Sequence, residues 1–435
     1  MTTGLEGVAA KARKEPKLVF TSLAHHVTKE LIMDSLKQIP LDTAPGIDGI
    51  DAKTARETFS EWIKPMIESI HRQSYKAPAV KRVWIPKPGK EEMRPIGIPS
   101  IADRALQRSV ATVLNAIYEE DFLDCSFGGR PGKSAHQALI TLSEIIRRRS
   151  VNWVFEADLK NFFGSLDQGW ILRFVEHRVG DPRMISLIRR WLKAGVMEEG
   201  QYEASESGTP QGGPISVLLS NIYLHYVLDL WFEKVVKPRM KGECYLIRYI
   251  DDFTACFERK EDAETFIEIL EGRLLKFELR LEASKTRLIE FGKTAKVEAG
   301  KGETFYFLGF THYMAKTRKG RFKVGRKTEK SRLKRSIHKL QKKMREAMHW
   351  RVEEQIEKIN QIIRGHYNYY GIGGNYQSLV KIYDKARWFL KKMLSARSWK
   401  GKVTWNLFDQ IMKKYPILRP YIRIPYVEFS RYVML

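Results

Sequence analysis

Apolar residues along this chain follow two rhythms. Short β-branched and aromatic runs bounded by turn residues predict strands, and apolar positions three and four apart predict helices. Residues 80–99 read as a β-hairpin around Lys87-Pro-Gly-Lys90, and residues 102–118 as a helix with Leu106, Val110, Val113, Leu114 and Ile117 on one side. Residues 153–157 form an apolar strand ending at Asp158, and residues 215–231 a long apolar helix after a Gly-Pro-rich turn. Residues 246–257 alternate around Tyr249-Ile-Asp-Asp252, which predicts a hairpin whose tight turn carries both acids. An amphipathic helix is expected over 263–277 and a short strand over 305–313. After Gly320, Leu333, Ile337, Leu340 and Met344 recur at helical spacing among Lys and Arg. Val352, Ile356, Ile359 and Ile363 repeat that pattern, and residues 379–394 give a third basic helix, which together predict a helical bundle with a positive surface. The first 30 residues are polar and are expected to be ordered only in part.

Charge sharpens this division. The chain has 435 residues and a formal net charge of +25. Residues 313–435 hold 31 basic and 8 acidic side chains, whereas residues 1–312 hold 45 and 43. A near-neutral body joined to a basic quarter fits a chemical module beside one that grips a polyanion. Cys125, Cys244 and Cys256 lack metal-ligand spacing and fit a reducing cytosol. No apolar stretch reads as long enough to span a bilayer, no signal peptide is evident, and no membrane partner is expected.

The adjacent carboxylates Asp251 and Asp252 repel each other, and folding alone asks for neither. Asp158, at the end of an apolar strand, is a third acid of the same kind. Together they make a hard-oxygen ligand set for two Mg²⁺ ions. Each acid alone also fits a solvated turn or a helix cap. Gly208-Thr-Pro-Gln-Gly-Gly-Pro214 is a rigid turn opening a helix, where backbone approaches a ligand closely and Gln211 is placed to touch a base or nucleotide. Lys87 and Arg94, with Lys81 and Arg82, lie on the early hairpin, where basic groups clamp a triphosphate or simply protect an edge.

Taken in order, the motifs resemble one family. They are Arg94-Pro-Ile-Gly-Ile-Pro99, Ser126-Phe-Gly-Gly-Arg-Pro-Gly-Lys-Ser-Ala-His136, Glu156-Ala-Asp-Leu-Lys-Asn-Phe-Phe163, Gly208-Thr-Pro-Gln-Gly-Gly213, Tyr249-Ile-Asp-Asp252, Ser284-Lys-Thr286 and Phe307-Leu-Gly-Phe310. The series resembles the reverse transcriptase core of group II intron-encoded proteins and their intron-free relatives. Arg364-Gly-His-Tyr-Asn-Tyr-Tyr370 resembles the opening of the family's thumb, or maturase, domain. The resemblance implies an α+β right-hand polymerase. It places an N-terminal extension with a lid over 21–50 after a flexible start at 1–20, fingers and palm over 51–315, and a basic helical thumb over 316–435. It further implies that Asp158, Asp251, Asp252 and the Leu159 carbonyl bind Mg²⁺ or Mn²⁺, and that Lys285 protonates the leaving pyrophosphate. Lys87, Arg94 and Gln211 would hold the dNTP, and Phe163 would exclude a ribose 2′-OH. Lys334, Arg335, Lys342, Lys343, Arg364 and Tyr367 are the expected nucleic-acid contacts of the thumb. The implied partners are an RNA or DNA template, a DNA primer and dNTPs, in a bacterial cytosol or nucleoid, with a homodimer left open.

The chain departs from the family at Ile250, where intron-encoded members usually carry Ala. That position is expected to modulate how the primer terminus is seated. No HNH-like His/Cys cluster follows the thumb, so an endonuclease domain is not expected. These departures resemble group II-like enzymes that have left their introns, with DNA repair or break-end joining as the expected role. The alternatives are a maturase serving its own intron and a mainly RNA-binding splicing cofactor.

Overall fold

The computed structural model describes residues 3–86, 92–198, 201–203, 208, 212–295, 302–397 and 402–433. It opens with helices α1 (Thr3–Lys14), α2 (Lys29–Lys37), α3 (Ala52–Glu57) and α4 (Phe59–His71). Strands β1 (Val80–Pro86) and β2 (Met93–Ile98) lead to α5 (Ile101–Asp121) and α6 (Ala135–Arg148). Then follow β3 (Trp153–Ala157), α7 (Phe162–Ser165), α8 (Gln168–Glu176), α9 (Pro182–Leu192), β4 (Val196–Glu198), β5 (Gln201–Glu203) and α10 (Pro214–Leu224). The hairpin β6 (Cys244–Tyr249) and β7 (Asp252–Phe257) precedes α11 (Lys260–Leu275), β8 (Arg287–Glu290), β9 (Thr304–Phe307), β10 (Phe310–Lys316) and β11 (Phe322–Thr328). Helices α12 (Lys330–Glu346), α13 (Val352–Tyr370), α14 (Tyr376–Ser395) and α15 (Trp405–Lys414) close the chain. The sheets are ordered β2-β1-β4-β5, β6-β7-β3-β8 and β11-β10-β9, so the class is α+β, as expected.

Two compact units share the chain in alternating segments. The first comprises Met1–Ser134, Ala157–Phe253 and Glu261–Arg287, and the second Ala135–Glu156, Thr254–Lys260 and Leu288–Leu435. The division expected at 315/316 falls inside β10, whose hairpin belongs to the same unit as the C-terminal helices.

In the first unit α5 is the hub. Its Leu106, Val110, Val113, Leu114 and Ile117 are fully buried, and α1, α2 and α10 pack on it. The N-terminus is therefore not a loose start. Leu5, Val8, Ala9 and Ala12 make an apolar stripe at helical spacing that buries against α5, which offsets the cost of ordering α1. The α10 helix runs on through two wider π turns, His225–Asp229 and Phe232–Val236. By length and composition the span Pro214–Arg239 is apolar enough to cross a membrane, contrary to the sequence reading, but 78% of its apolar window is buried within the protein. It is built as a core helix.

In the second unit β10 and β11 pair antiparallel from Phe310↔Thr328 to Lys316↔Phe322. The single strand expected over 305–313 is a hairpin instead. Leu308 and Gly309 both adopt positive φ, 48° and 80°, and reverse the chain within an unbroken apolar run. Helices α12, α13 and α14 pack on one another around Leu340, Met344, Ile356, Ile359, Ile363, Leu379 and Leu390.

Candidate active site

The site is built on the turn between β6 and β7, in the first unit. Only Ile250 and Asp251 separate the two strands, and Ile250 lies in the left-handed region at φ 59°. A β-branched residue is disfavoured there, so the turn persists only because its surroundings fix it. Gly128 runs directly beneath. A Cβ on it would come within 2.5 Å of the Ile250 amide and 2.6 Å of Ile250 Cγ1, so only glycine lets the backbones approach this closely. The segment before Gly128 pairs with β6. The Arg248 amide donates to the Cys125 carbonyl at 2.7 Å, and the Phe127 amide to the Arg248 carbonyl at 2.9 Å.

Arg248 is the second support. Its side chain is fully buried and so is that of Asp229, to which its Nε donates at 2.7 Å. Its other nitrogens donate to Asn221 Oδ1 and the Ile250 carbonyl, both at 2.9 Å, and to Ser126 Oγ at 2.8 Å. Asn221 Nδ2 donates in turn to the Gly128 carbonyl at 2.8 Å. One buried network thus holds both the strained turn and the glycine segment under it.

Asp158 is half-buried at the end of β3. Its carbonyl accepts from the Glu282 amide at 2.8 Å, and Leu159, its side chain buried, forms a β-bridge with Leu281. This brings Lys285 onto the acid, and its Nζ donates to Asp158 Oδ2. Burial works against the Lys285 charge, but Asp158, Asp252 and Glu282 outweigh it and raise its pKa. The Asp251 carboxyl is pushed above the usual carboxylate range, first by burial and then by the charge of Asp158, against the pull of Arg94 and Lys285. Asp158, Asp251, Asp252, Arg94 and Lys285 therefore lie within one electrostatic neighbourhood. Among the described residues no three His, Cys, Asp or Glu side chains form a ready metal cage. The donor set nonetheless fits cations: the Asp158 charge helps to raise the Asp251 carboxyl, and an internal ammonium already engages Asp158.

Phe163 is half-buried on α7, edge-on to the buried Phe162 with ring centroids 5.3 Å apart. Gly208 lies against it, since a Cβ there would stand 2.6 Å from the Phe163 carbonyl oxygen. Gly212, at φ 122°, is pressed onto β2, where a Cβ would stand 2.3 Å from the Gly97 carbonyl. Gly208 therefore lies against Phe163, and Gly212 against the β2 strand that carries Arg94. Gln211 and Lys87 lie outside the described residues. Lys81 is exposed on β1, whereas Arg82 is engaged with Glu198 at 3.1 Å and Glu203 at 2.6 Å.

In the second unit Lys334, Lys342 and Arg364 are exposed, Arg335 is half-buried, and Lys343 pairs with Glu346 at 2.7 Å. Tyr367 departs from the sequence reading. It is fully buried, its hydroxyl donates to the Leu418 carbonyl at 3.4 Å, and it has no face left for a nucleic acid. Its aromatic ring closes the α13 core instead. Two residues missed in the sequence are better placed. Trp388 is 47% exposed with Lys385 and Lys392 over its ring, and Trp405 is 52% exposed with Lys391 4.7 Å from its centroid. Exposed indoles among lysines are what base stacking uses. The interleaving of Trp and Lys was their signal.

One acid on a strained hairpin turn, a second opening the strand that follows, a third at a neighbouring strand end and a lysine on that third acid define a nucleotidyl-transfer type of site on an α+β scaffold. Residues 85–312, just over half of the chain, match the family described as reverse transcriptase (RNA-dependent DNA polymerase), and the chain belongs to that family. It is 31% identical over 280 residues to group II intron-encoded protein LtrA of Lactococcus lactis subsp. cremoris, covering 62% of this chain and 46% of LtrA. It is 28% identical over 355 residues to protein YkfC of Escherichia coli (strain K12), covering 73% of this chain and 89% of YkfC. Nuclear intron maturase 3, mitochondrial, of Arabidopsis thaliana is 23% identical over 218 residues, covering 44% of this chain and 29% of that protein. The chain thus spans under half the length of LtrA.

Proposed function

We propose that this chain is an RNA-directed DNA polymerase of the group II intron type that also copies DNA, extending a DNA primer with dNTPs. The observation that carries the reading is the charge cluster of Asp158, Asp251, Asp252, Arg94 and Lys285 around a turn held in the left-handed region. The carboxylates of Asp158, Asp251 and Asp252 and the Leu159 carbonyl would hold the divalent ions. Mg²⁺ or Mn²⁺ bound there supplies positive charge for the attacking 3′-OH and for the leaving pyrophosphate of an in-line displacement.

The chain's own groups do the rest. Lys285, whose ammonium donates to Asp158, would give its proton to the leaving pyrophosphate. Arg94, together with Lys87, would hold the triphosphate through charge-assisted hydrogen bonds. Phe163, backed by Phe162 and fixed by Gly208, stands against the sugar and excludes a 2′-OH. Arg248 and Gly128 keep the acid-bearing turn from relaxing. The basic second unit holds the template–primer by its backbone, leaving sequence to base pairing.

The biological service is a separate part of the proposal. Ile250 supports work on short or weakly paired DNA ends, and hence host DNA repair. The names of its relatives, group II intron-encoded protein LtrA and the Arabidopsis nuclear intron maturase, support service to an intron. Intron domains flanking the gene would favour the second.

Asp251→Asn tests the chemistry. The expected result is loss of dNTP incorporation with primer–template binding nearly intact. Substantial incorporation by that variant would refute the site.

A further inference from the structure

The second unit contains a cavity of about 540 Å³ lined by none of the residues of the candidate active site. Its walls are the last turn of α6, strand β11 with the residues just before it, and the C-terminal turn Tyr426–Arg431. Arg147, Arg148, Arg321, Lys323 and Arg326 line it against a single acid, Glu144. That acid is already taken. Arg147 and Arg148 hold it at 2.6 and 2.7 Å.

Arg326 is the unusual member. It is fully buried, and one nitrogen donates to Ser143 Oγ. Its Nε and Nη1 find no hydrogen-bond partner among the described residues. Its cross-strand neighbour His312 is also fully buried and supplies no counter-charge, since burial and Arg326 itself keep that imidazole neutral. Burial pulls Arg326 down to about 10, which still leaves it cationic at neutral pH. A buried guanidinium with two free donors and no carboxylate of its own calls for an anion.

The rest of the cavity narrows the anion. The Arg326 guanidinium lies over Phe429 at 5.0 Å. Tyr426 packs on Phe429 at 4.9 Å and remains 42% exposed, with Lys323 at 5.7 Å from its centroid. That is a stacking face beside a phosphate-binding fork. The volume suits a mononucleotide and falls within the usual range for small-molecule sites, about 300–1,000 Å³. We propose that this cavity binds a nucleotide through its phosphate monoester, with the phosphate drawn to the basic wall of Arg321, Lys323 and Arg326 and the base stacked on Tyr426. The ligand is either a free nucleoside monophosphate or the 5′-phosphorylated end of a single strand, since both present the same group.

The test uses the full chain without divalent metal and 8-azido-AMP as photoprobe, with the labelled peptide mapped by mass spectrometry. Label is expected on the segment holding Tyr426 and Phe429. AMP should compete about ten-fold better than adenosine, because the charge-assisted contacts are to phosphate. Arg326→Gln should reduce labelling there by about ten-fold. Because that side chain is buried, the variant Arg148→Glu/Lys323→Glu, altered at the rim, serves as a second probe and should also lose labelling while keeping the wild-type melting temperature. Competition by AMP against a 5′-phosphorylated oligothymidylate of about eight nucleotides names the source of the phosphate. Label elsewhere, equal competition by adenosine, or labelling unchanged in both variants would overturn the proposal.

Discussion

Arg248→Met is the most informative single change. It removes the donors to Asp229, Asn221, Ser126 and the Ile250 carbonyl at once. Both Arg248 and Asp229 are fully buried, so the first consequence is an uncompensated carboxylate in the core. Breaking one half of such a pair costs about 3–5 kcal/mol, whereas replacing both halves with apolar groups of similar volume is often neutral. Arg248→Met should therefore lower the melting temperature sharply, and Arg248→Met/Asp229→Leu should recover most of that loss.

Activity should behave differently. In the double variant the buried charge pair is gone, but the Ile250 carbonyl still lacks its donor. Ile250 sits at φ 59°, a conformation worth about 1–3 kcal/mol of strain that the network must offset. Once released, the turn relaxes and Asp251 moves with it. A comparable loss in transition-state stabilisation is about a ten-fold to hundred-fold fall in rate. The assay is steady-state dNTP incorporation on a fixed primer–template, read beside thermal melting of the same preparations. A double variant that is both stable and as active as the wild type would show that Arg248 only fills and neutralises the core.

Other outcomes follow from the same geometry. Phe163→Val should raise rNTP incorporation relative to dNTP by about ten-fold or more, as removing a steric block does; an unchanged ratio of kcat/KM values would mean that another group excludes the 2′-OH. Asp181 is fully buried and accepts from the amides of Leu23 at 2.7 Å, Ala24 at 2.9 Å and Arg183 at 2.9 Å. Burial pushes its carboxyl up, but Arg183 and those amides outweigh it and bring it down to about 2. A depressed carboxylate contributes stability above its unfolded pKa and loses it as pH falls, so the loss should run from about pH 4 to about pH 2. Asp181→Ala should cost about 1–2 kcal/mol at neutral pH and flatten that window in acid melting curves. Ile250→Ala keeps the turn but loses Cγ1 above Gly128, and should favour long, stably annealed primers over short ones; equal fractional changes in extension of both would leave only packing.

The fold was legible wherever its periodicity was local. The strand at 153–157 and the hairpin at 244–257 follow from alternating apolar residues, and the three acids follow from carboxylates placed where folding has no use for them. The α1 helix was hidden because half of its stripe is Ala among polar residues, which reads as a weak signal until α5 covers it. The β9–β10 reversal was hidden because Phe307-Leu-Gly-Phe310 keeps an apolar rhythm through the turn. Tyr367 was misread because a motif position gives chemistry but not which side of a helix faces the core.

What fixes the acids in place was the least legible part, and the reason is physical. Arg248 bonds Ser126 across 122 residues of chain, and Gly128 touches Ile250 by the same long route. Local pattern carries no trace of such pairings. In the sequence Arg248 reads as one more basic residue in a chain rich in them, and Gly128 as one more loop glycine. Yet the strain at Ile250 cannot hold itself, and an acid pair on a free hairpin tip would separate under its own repulsion. The supports are therefore as much a requirement of the chemistry as the carboxylates are. A β-branched residue at positive φ, fastened by a buried cation and a glycine that admits no side chain, marks the turn as a functional one without reference to any motif.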